Sequence, residues 1–162
     1  MHVLTVAQLL VLLTLANGAP VIAKLILRGR FAIPLDGNRT FIDSKPLFGA
    51  SKTIRGVLVA IVATTAAAPL LGLDAGIGLL VGITAMAGDL FSSFCKRRLG
   101  LAASSRATGL DQIPESLLPL LACRQPLALS VADIGISCGL FFAGEILLSR
   151  LLFLLHLREQ PY

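Results

Sequence analysis

The chain has 162 residues, of which 56% are hydrophobic and 14% are charged, and its mean hydropathy is +0.86. This composition is too apolar for a water-soluble protein, and the length allows one domain, which we predict to cover residues 1–162. The net charge of +5 does not indicate nucleic acid, because the basic residues are confined to particular loops and lack interleaved aromatic side chains. We therefore predict an integral membrane protein with no nucleic-acid partner.

Five apolar segments are predicted to form helices. Four of them approach the roughly 20 residues that a helix needs to cross the hydrocarbon layer, and one is shorter. In chain order the segments are 3–27, 54–73, 75–94, 113–123 and 128–148. The predicted fold class is all-α, a polytopic membrane protein of about five transmembrane helices with two long cytoplasmic loops.

The first predicted helix contains a short polar segment, Asn17-Gly18-Ala19-Pro20. Pro20 cannot donate a helical hydrogen bond, and Asn17 adds a polar side chain, so we expect an interruption near the middle of this helix. Interrupted membrane helices often line a binding cavity. A tolerated proline kink, with Asn17 hydrogen-bonded to a neighbouring helix, is an equally open alternative.

Basic residues are concentrated in the connections after the first and third predicted helices. They are Arg28, Arg30, Arg39, Lys45, Lys52 and Arg55 in the first connection, and Lys96, Arg97, Arg98 and Arg106 in the second. Short loops rich in Lys and Arg stay on the cytoplasmic side of a membrane, so we predict that both connections, and Arg158, face the cytoplasm. Arg124 then lies on the outer side, which leaves a four-helix topology open.

The end of the third helix carries a polar face. Asp89, Ser93 and Lys96 follow one another at i, i+4 and i+7 and therefore share one side of the helix. A carboxylate inside a membrane helix costs roughly 2.5 to 3.5 kcal/mol on insertion scales, so it normally faces a cavity, a partner or an ion. An ion pair of Asp89 with Lys96 or Arg97 is the structural alternative.

A second acidic residue, Asp111, stands just before the fourth apolar segment. It could simply cap that helix, with Glu115 in the favourable first turn. It could also converge with Asp89 on a divalent cation, since Mg²⁺ takes a couple of carboxylates together with water and substrate phosphates.

The entrance of the second helix carries Lys52 and Arg55, three residues apart. Lys52-Thr53 is similar to part of a phosphate-binding P-loop, but Pro46 and Ser51 stand where that motif has glycines, so we reject it. Together with Lys96 and Arg97, these two residues could surround a polyphosphate. Contact with anionic lipid headgroups alone is the open alternative.

Three other features carry less information. Glu145 lies deep in the last apolar segment and is expected to have a polar partner, whereas Asp133 is expected near the outer surface. The three cysteines are scattered and are interpreted as packing residues, since their spacing matches neither a zinc site nor a disulfide framework.

The order and spacing of these motifs resemble those of the membrane CDP-diacylglycerol synthases and, more closely, of their small relatives, the CDP-archaeol synthases. Segment 88–97 is similar to G-D-L-x-x-S-x-x-K-R, and segment 49–56 to G-x-x-K-T-W-R-G with Ile54 in place of Trp. Segments 17–20, 110–112 and 157–162 are similar to the family's N-x-x-P, its L-D-Q and its C-terminus.

The resemblance implies a CTP-dependent cytidylyltransferase that converts a lipid phosphate to a CDP-lipid and releases pyrophosphate. It implies Mg²⁺ held by Asp89 and Asp111. Catalytic roles are implied for these two residues and for Lys52, Arg55, Ser93, Lys96 and Arg97. Substrate-binding roles are assigned with them to Asn17, Pro20, Lys45, Thr53 and Gln112.

The partners expected from the resemblance are CTP, a lipid phosphate and membrane lipids, in the cell membrane and with the active site facing the cytoplasm. An archaeal-type ether lipid and diacyl phosphatidic acid both stay open as substrate, and so does a homo-oligomer. A non-catalytic membrane scaffold and a small transporter are the alternatives from other functional classes.

Overall fold

The computed structural model describes residues 2–102, 105 and 107–154, with side chains as far as residue 148. Within these ranges the chain forms five α-helices. They are α1 (Val3–Leu27), α2 (Ile54–Leu70), α3 (Ala75–Arg98), α4 (Gln112–Ala122) and α5 (Val131–Leu154). The described residues contain no β-strand, only two isolated β-bridges in the connection between α1 and α2. The all-α prediction is confirmed, and each predicted apolar segment corresponds to one helix.

The five helices differ in length. Among the described residues, Val3–Leu27, Ala75–Arg98 and Val131–Leu148 are long and apolar enough to cross a membrane. Helix α2 has 17 residues, and α4 has only 11. At 1.5 Å per residue, α4 is about 17 Å long, against roughly 30 Å of hydrocarbon. Helix α4 is therefore a short helix packed inside the bundle and cannot cross the membrane unaided.

Contacts between helix ends show which of them lie at the same end of the bundle. The backbone nitrogen of His2 donates to Asp133 Oδ1 at 3.1 Å, and Gln8 Nε2 donates to the carbonyl of Leu71 at 2.7 Å. The start of α1, the end of α2 and the start of α5 therefore share one end of the bundle. At the other end, Lys45 Nζ donates to the carbonyl of Arg98 at 3.0 Å. Both long connections lie at this second end, which we call the loop end.

The hydrophobic core includes residues from all five helices. It is filled by Leu9, Leu12 and Leu13 from α1, together with Val81, Leu120, Cys123 and Phe141 from the other elements. Small residues bring α2 and α3 close together, since a Cβ at Gly82 would lie only 2.9 Å from the Cα of Ile61. Close backbone approach through small residues is the usual way in which membrane helices associate.

Helix α1 corrects one prediction. It runs without a break from Val3 to Leu27, with Pro20 inside it, so the expected interruption is wrong. Pro20 is tolerated at a close contact between α1 and α2. A Cβ added at Gly56 would lie 3.6 Å from the Cβ of Pro20. The predicted bond from Asn17 to a neighbouring helix is also not observed. Its amide nitrogen is buried and finds no hydrogen-bond partner in the described part of the chain.

Candidate active site

The connection between α1 and α2 is an ordered structure held by Asp36. One carboxylate oxygen accepts hydrogen bonds from the backbone nitrogens of Phe48 at 2.9 Å and Gly49 at 3.0 Å, and the other accepts one from Asn38 at 3.0 Å. Burial by itself raises the pKa of Asp36, but these N–H donors outweigh it and hold the pKa below its ordinary value. Asp36 therefore fastens the two arms of the connection just before Lys52.

Lys52 reaches from this connection into the helical bundle. Its Nζ lies 2.6 Å from both carboxylate oxygens of Asp89 in α3, and each side chain is 24% exposed. Asp89 stands nine residues before the end of α3, which places it about 14 Å inside the loop end. The alternative in which Asp89 pairs with Lys96 or Arg97 is wrong, because its partner comes from another element.

A second lysine–aspartate pair links α3 to the start of α4. Lys96 Nζ lies 2.7 Å from Asp111 Oδ1, and it also donates to the carbonyl of Ser105 at 3.0 Å. The other oxygen of Asp111 accepts a hydrogen bond from the backbone nitrogen of Ala107 at 2.9 Å. Asp111 precedes α4 but makes no capping hydrogen bond to it, so the helix-cap interpretation is wrong.

Gly88 lets the start of α4 approach α3 at the depth of Asp89. A Cβ at Gly88 would lie 2.6 Å from the carbonyl carbon of Pro114 and 2.8 Å from the Cα of Glu115, both backbone atoms. The Glu115 side chain is consequently buried, with 7% of the residue exposed. It interacts electrostatically with Asp89, Asp111, Lys52 and Glu145.

Glu115 is the site residue that sequence reasoning missed, because it was interpreted only as a favourable first-turn acid. The available signal was its position four residues after Asp111, a spacing that brings two side chains to the same side where the chain is helical. Glu145 of α5 lies close enough to Glu115 for the two carboxyl groups to interact electrostatically. We call Lys52, Asp89, Lys96, Asp111 and Glu115 the paired-charge site.

The other predicted cations lie at the loop end but are bonded to backbone carbonyls. Arg97 donates to Ala102 at 2.7 Å and interacts electrostatically with Asp111. Arg55 donates to the carbonyls of Arg28 and Arg30, so its guanidinium faces the chain that follows α1. Lys52 and Lys96 therefore contact the carboxylates of Asp89 and Asp111, whereas Arg55 contacts the backbone after α1.

The remaining predicted site residues have structural contacts. Thr53 Oγ1 caps α2 by accepting a hydrogen bond from Gly56 N at 3.2 Å, and Gln112 Oε1 accepts one from Gly109 N at 2.8 Å. Ser93 is buried on α3, and Lys45 is bonded to Arg98 as described above. Arg106, Arg158 and segment 157–162 lie outside the described residues.

Arg98 holds the first connection against the end of α3. Its guanidinium lies 4.8 Å from the ring centroid of Phe94 and 4.9 Å from that of Phe41, and its Nη1 lies 2.9 Å from Asp43 Oδ1. A second nitrogen donates to the carbonyl of Pro46 at 2.6 Å. The sequence marked Arg98 only as one of three clustered cations, so this role was not predicted.

The chemistry of the donor set fits Mg²⁺. Carboxylate oxygens are hard ligands, and Mg²⁺ often uses one or two of them and takes its remaining ligands from water and phosphates. Asp89 and Asp111 have partly exposed side chains, at 24% and 23%. No group of three or more His, Cys, Asp or Glu side chains able to hold an ion is found in the described ranges. Asp89 and Asp111 would hold such an ion, with its other ligands taken from substrate and water.

A bundle of apolar helices that encloses paired lysines and aspartates defines a polytopic membrane protein with an internal polar site. A solved structure described as an intramembrane enzyme for archaeal membrane lipids biosynthesis has this fold. The match covers 86% of this chain and 89% of the chain in that structure, with a TM-score of 0.74 and 27% sequence identity.

Sequence comparisons identify the family. A family model described as CarS-like CDP-archaeol synthase matches residues 73–162. The CDP-archaeol synthase of Sulfurisphaera tokodaii is 32% identical over 135 residues, which cover 80% of this chain and 81% of the relative. The one from Hyperthermus butylicus is 37% identical over 105 residues, 60% of this chain and 59% of the relative. The chain belongs to the CDP-archaeol synthase family.

Proposed function

We propose that this protein is a nucleotidyltransferase that uses CTP to activate an archaeol-type lipid phosphate. A phosphate oxygen of the lipid attacks the α-phosphorus of CTP, the bond from that phosphorus to the bridging oxygen of the β-phosphate breaks, and pyrophosphate leaves. The products are a CDP-lipid and pyrophosphate. The relatives' shared name and the two lysine–aspartate pairs inside the bundle support this proposal.

The nucleophile belongs to the substrate, so the protein must supply position and positive charge. Asp89 and Asp111 hold the ammonium groups of Lys52 and Lys96 inside the bundle at 2.6 and 2.7 Å. An ammonium group carries three donors, so each lysine can bond its carboxylate and a phosphate oxygen at the same time. The pairs therefore keep two cations oriented for a polyphosphate before it enters.

Asp89 and Asp111 are also the proposed ligands of Mg²⁺. When bound, the ion would neutralise phosphate charge and polarise the reacting phosphoryl group. Glu115 is buried beside these aspartates and places a third carboxyl group next to the proposed ion ligands.

Further contacts proposed from the family resemblance surround this centre. Arg55 and Arg97 would extend the phosphate contacts, and Ser93 would assist from the polar face of α3. For Arg55 this requires its guanidinium to leave the carbonyls of Arg28 and Arg30. The proposed substrate-binding residues are Asn17, Pro20, Lys45, Thr53 and Gln112.

The depth of the paired-charge site suits a lipid substrate. The site extends from Lys96, close to the end of α3, to Asp89, about 14 Å below it, so a lipid headgroup can reach it from the side and CTP from the loop end. We infer that the loop end faces the cytoplasm, where CTP is available, and that the bundle resides in the cell membrane.

The decisive experiment uses the purified full chain in detergent with radiolabelled CTP and Mg²⁺. It compares an ether-linked archaeol phosphate with diacyl phosphatidic acid. We expect labelled CDP-lipid and an equal amount of pyrophosphate, with the ether lipid preferred. If phosphatidic acid is the preferred substrate, the proposed reaction stands and the proposed lipid substrate is wrong.

The matched control is the double variant Asp89→Asn with Asp111→Asn. It should lose activity, because both the lysine orientation and the proposed ion ligands are removed, and its thermal unfolding is measured because Lys52 and Lys96 lose their charged partners. Absence of CDP-lipid with both substrates, or undiminished activity in the double variant, would refute the proposal and favour a non-catalytic scaffold.

A further inference from the structure

We propose that residues 28–33, the segment that follows α1, form a docking surface for anionic lipids of the surrounding membrane, separate from the paired-charge site. We call this segment the 28–33 rim. The inference depends only on the bundle lying in a membrane, so it does not rest on the proposed reaction.

The rim exposes two large apolar side chains. Phe31 is 72% exposed and Ile33 is 59% exposed. Phe31 also has a φ of 57°, a left-handed conformation that is a genuine outlier for a bulky residue. Such a conformation persists where the surrounding structure imposes it, and it often marks a functional segment.

The surrounding structure imposes this conformation through α2. Arg55 donates to the carbonyls of Arg28 and Arg30, and the backbone nitrogen of Ile54 donates to the carbonyl of Ile33 at 3.0 Å. The rim therefore lies along the first turn of α2 with both of its ends fixed. The exposed Phe31 is therefore part of a segment that hydrogen bonds hold in place.

The helix residues next to the rim are also apolar and exposed. Leu25 and Ile26 at the end of α1 are 64% and 74% exposed, and Leu58 in the second turn of α2 is 57% exposed. Phe31 and Ile33 follow just past the end of α1, at the level where apolar groups enter the boundary between headgroups and acyl chains. Exposed apolar side chains on neighbouring elements favour contact with lipid over contact with water.

The charges beside these apolar groups specify the lipid. Arg28 and Arg30 are exposed on the same segment, and their contacts with Arg55 use only their backbone carbonyls. Among the described residues, neither side chain forms an ion pair. A basic residue near a membrane surface gains about 1 kcal/mol from anionic lipid. Lys52 and Lys96 differ, because carboxylates inside the bundle already hold them. Apolar insertion next to two exposed arginines fits the headgroup of an anionic lipid.

The chain contains no Trp, which allows a direct test. The variant Phe31→Trp is reconstituted in nanodiscs made of phosphatidylcholine and phosphatidylglycerol at equal mole fractions. The matched control is Asn38→Trp, an exposed position on the same connection whose φ of 60° is similar to that of Phe31. Quenching is measured with lipids brominated near the headgroup and with aqueous iodide.

We expect brominated lipid to lower the Phe31→Trp fluorescence at least about two-fold, and iodide to quench mainly the Asn38→Trp variant. Brominated phosphatidylglycerol should quench Phe31→Trp more than brominated phosphatidylcholine does. Adding Arg28→Gln and Arg30→Gln should lower the relative association of phosphatidylglycerol about five-fold per arginine, since about 1 kcal/mol corresponds to that factor. Salt at 1 M should remove most of the preference.

Arg39→Gln is the charge-matched control, because Arg39 is exposed on the same connection but lies outside the rim. It should leave the lipid preference unchanged within two-fold. The docking surface is refuted if Trp at position 31 is quenched by iodide and not by brominated lipid. Its anionic specificity is refuted if the unsubstituted arginines show no preference, or if Arg39→Gln weakens the preference as much as the rim variants do.

Discussion

The contact between Lys52 and Asp89 joins two residues that are 37 positions apart in the chain. Both side chains are largely removed from water, so each charge is stabilised mainly by the other. Removing one partner leaves an uncompensated charge inside the bundle, which affects stability as well as chemistry. A test at this residue therefore has to separate folding from turnover.

Lys52→Ala should lower the turnover of CTP by about 10²-fold or more, because it removes a cation whose phosphate contacts strengthen in the transition state. Turnover and thermal stability are measured on the same preparation. The matched control is Lys24→Ala, the same change at an exposed position in the last turn of α1, which should stay within two-fold of the unmodified protein. Unchanged turnover in Lys52→Ala would contradict a role for this ammonium group.

Asp36 makes a pH-dependent contribution to the stability of the first connection. The folded state lowers its pKa below the ordinary value of 3.8, so the contribution is present above pH 3.8 and is lost as the pH falls through the lower folded-state pKa. Hydrogen exchange at the amides of Phe48 and Gly49 should therefore accelerate below about pH 4 beyond its intrinsic change. Asp36→Asn should show faster exchange already at pH 7 and no such additional acceleration in acid. A pH-independent protection factor in the unmodified protein would contradict this assignment.

At the scale of elements, the contact between α3 and α4 positions the second lysine–aspartate pair. Gly88 allows the backbone of Pro114 and Glu115 to lie against α3, and Asp111, three residues before Pro114, then meets Lys96. Because the atoms facing Gly88 belong to the backbone, they cannot move aside as a flexible side chain can. The site therefore depends on the lack of a side chain at Gly88 as well as on its charged residues.

Gly88→Ala should force α4 away from α3 and cost about 1 to 3 kcal/mol of stability, the usual range for overpacking. It should also lower activity, because Asp111 withdraws from Lys96. The control is Gly139→Ala on α5, where an added Cβ meets no atom within 4 Å in the described structure. That variant should be neutral or slightly stabilising by thermal unfolding in detergent. Equal stability of the two variants would show that the α3–α4 contact is not tight.

At the scale of the whole molecule, both long connections lie at the same end of the bundle. Lys45 and Arg98 exchange hydrogen bonds there, and Lys52 reaches Asp89 from the same side. This end also carries most of the basic residues, which is the pattern of a cytoplasmic face. The two observations are independent, because the first comes from contacts and the second from charge.

We predict that residues 29–53 and 96–110 face the cytoplasm. A cysteine at Asn38, exposed in the first connection, should react with a membrane-impermeant thiol reagent only when the cytoplasmic face is accessible. Ser105 is the corresponding position in the second connection, although its hydroxyl is buried. A cysteine at Gln125, exposed beyond α4, should show the opposite accessibility. Labelling of the Asn38 variant from the outer face alone would reverse the orientation.

The sequence by itself determined the five helices and the two charged connections, and it singled out the two lysines and two aspartates that the structure pairs. Helix positions follow from the transfer of apolar side chains out of water, which is a property of each segment and can be read along the chain. Only the tertiary structure decided which cation meets which carboxylate. Lys52 pairs with Asp89, Arg55 turns towards α1, and Glu115 becomes buried because Gly88 admits α4. These pairings depend on the rotation and separation of helices, and both are set by contacts between residues far apart in the chain.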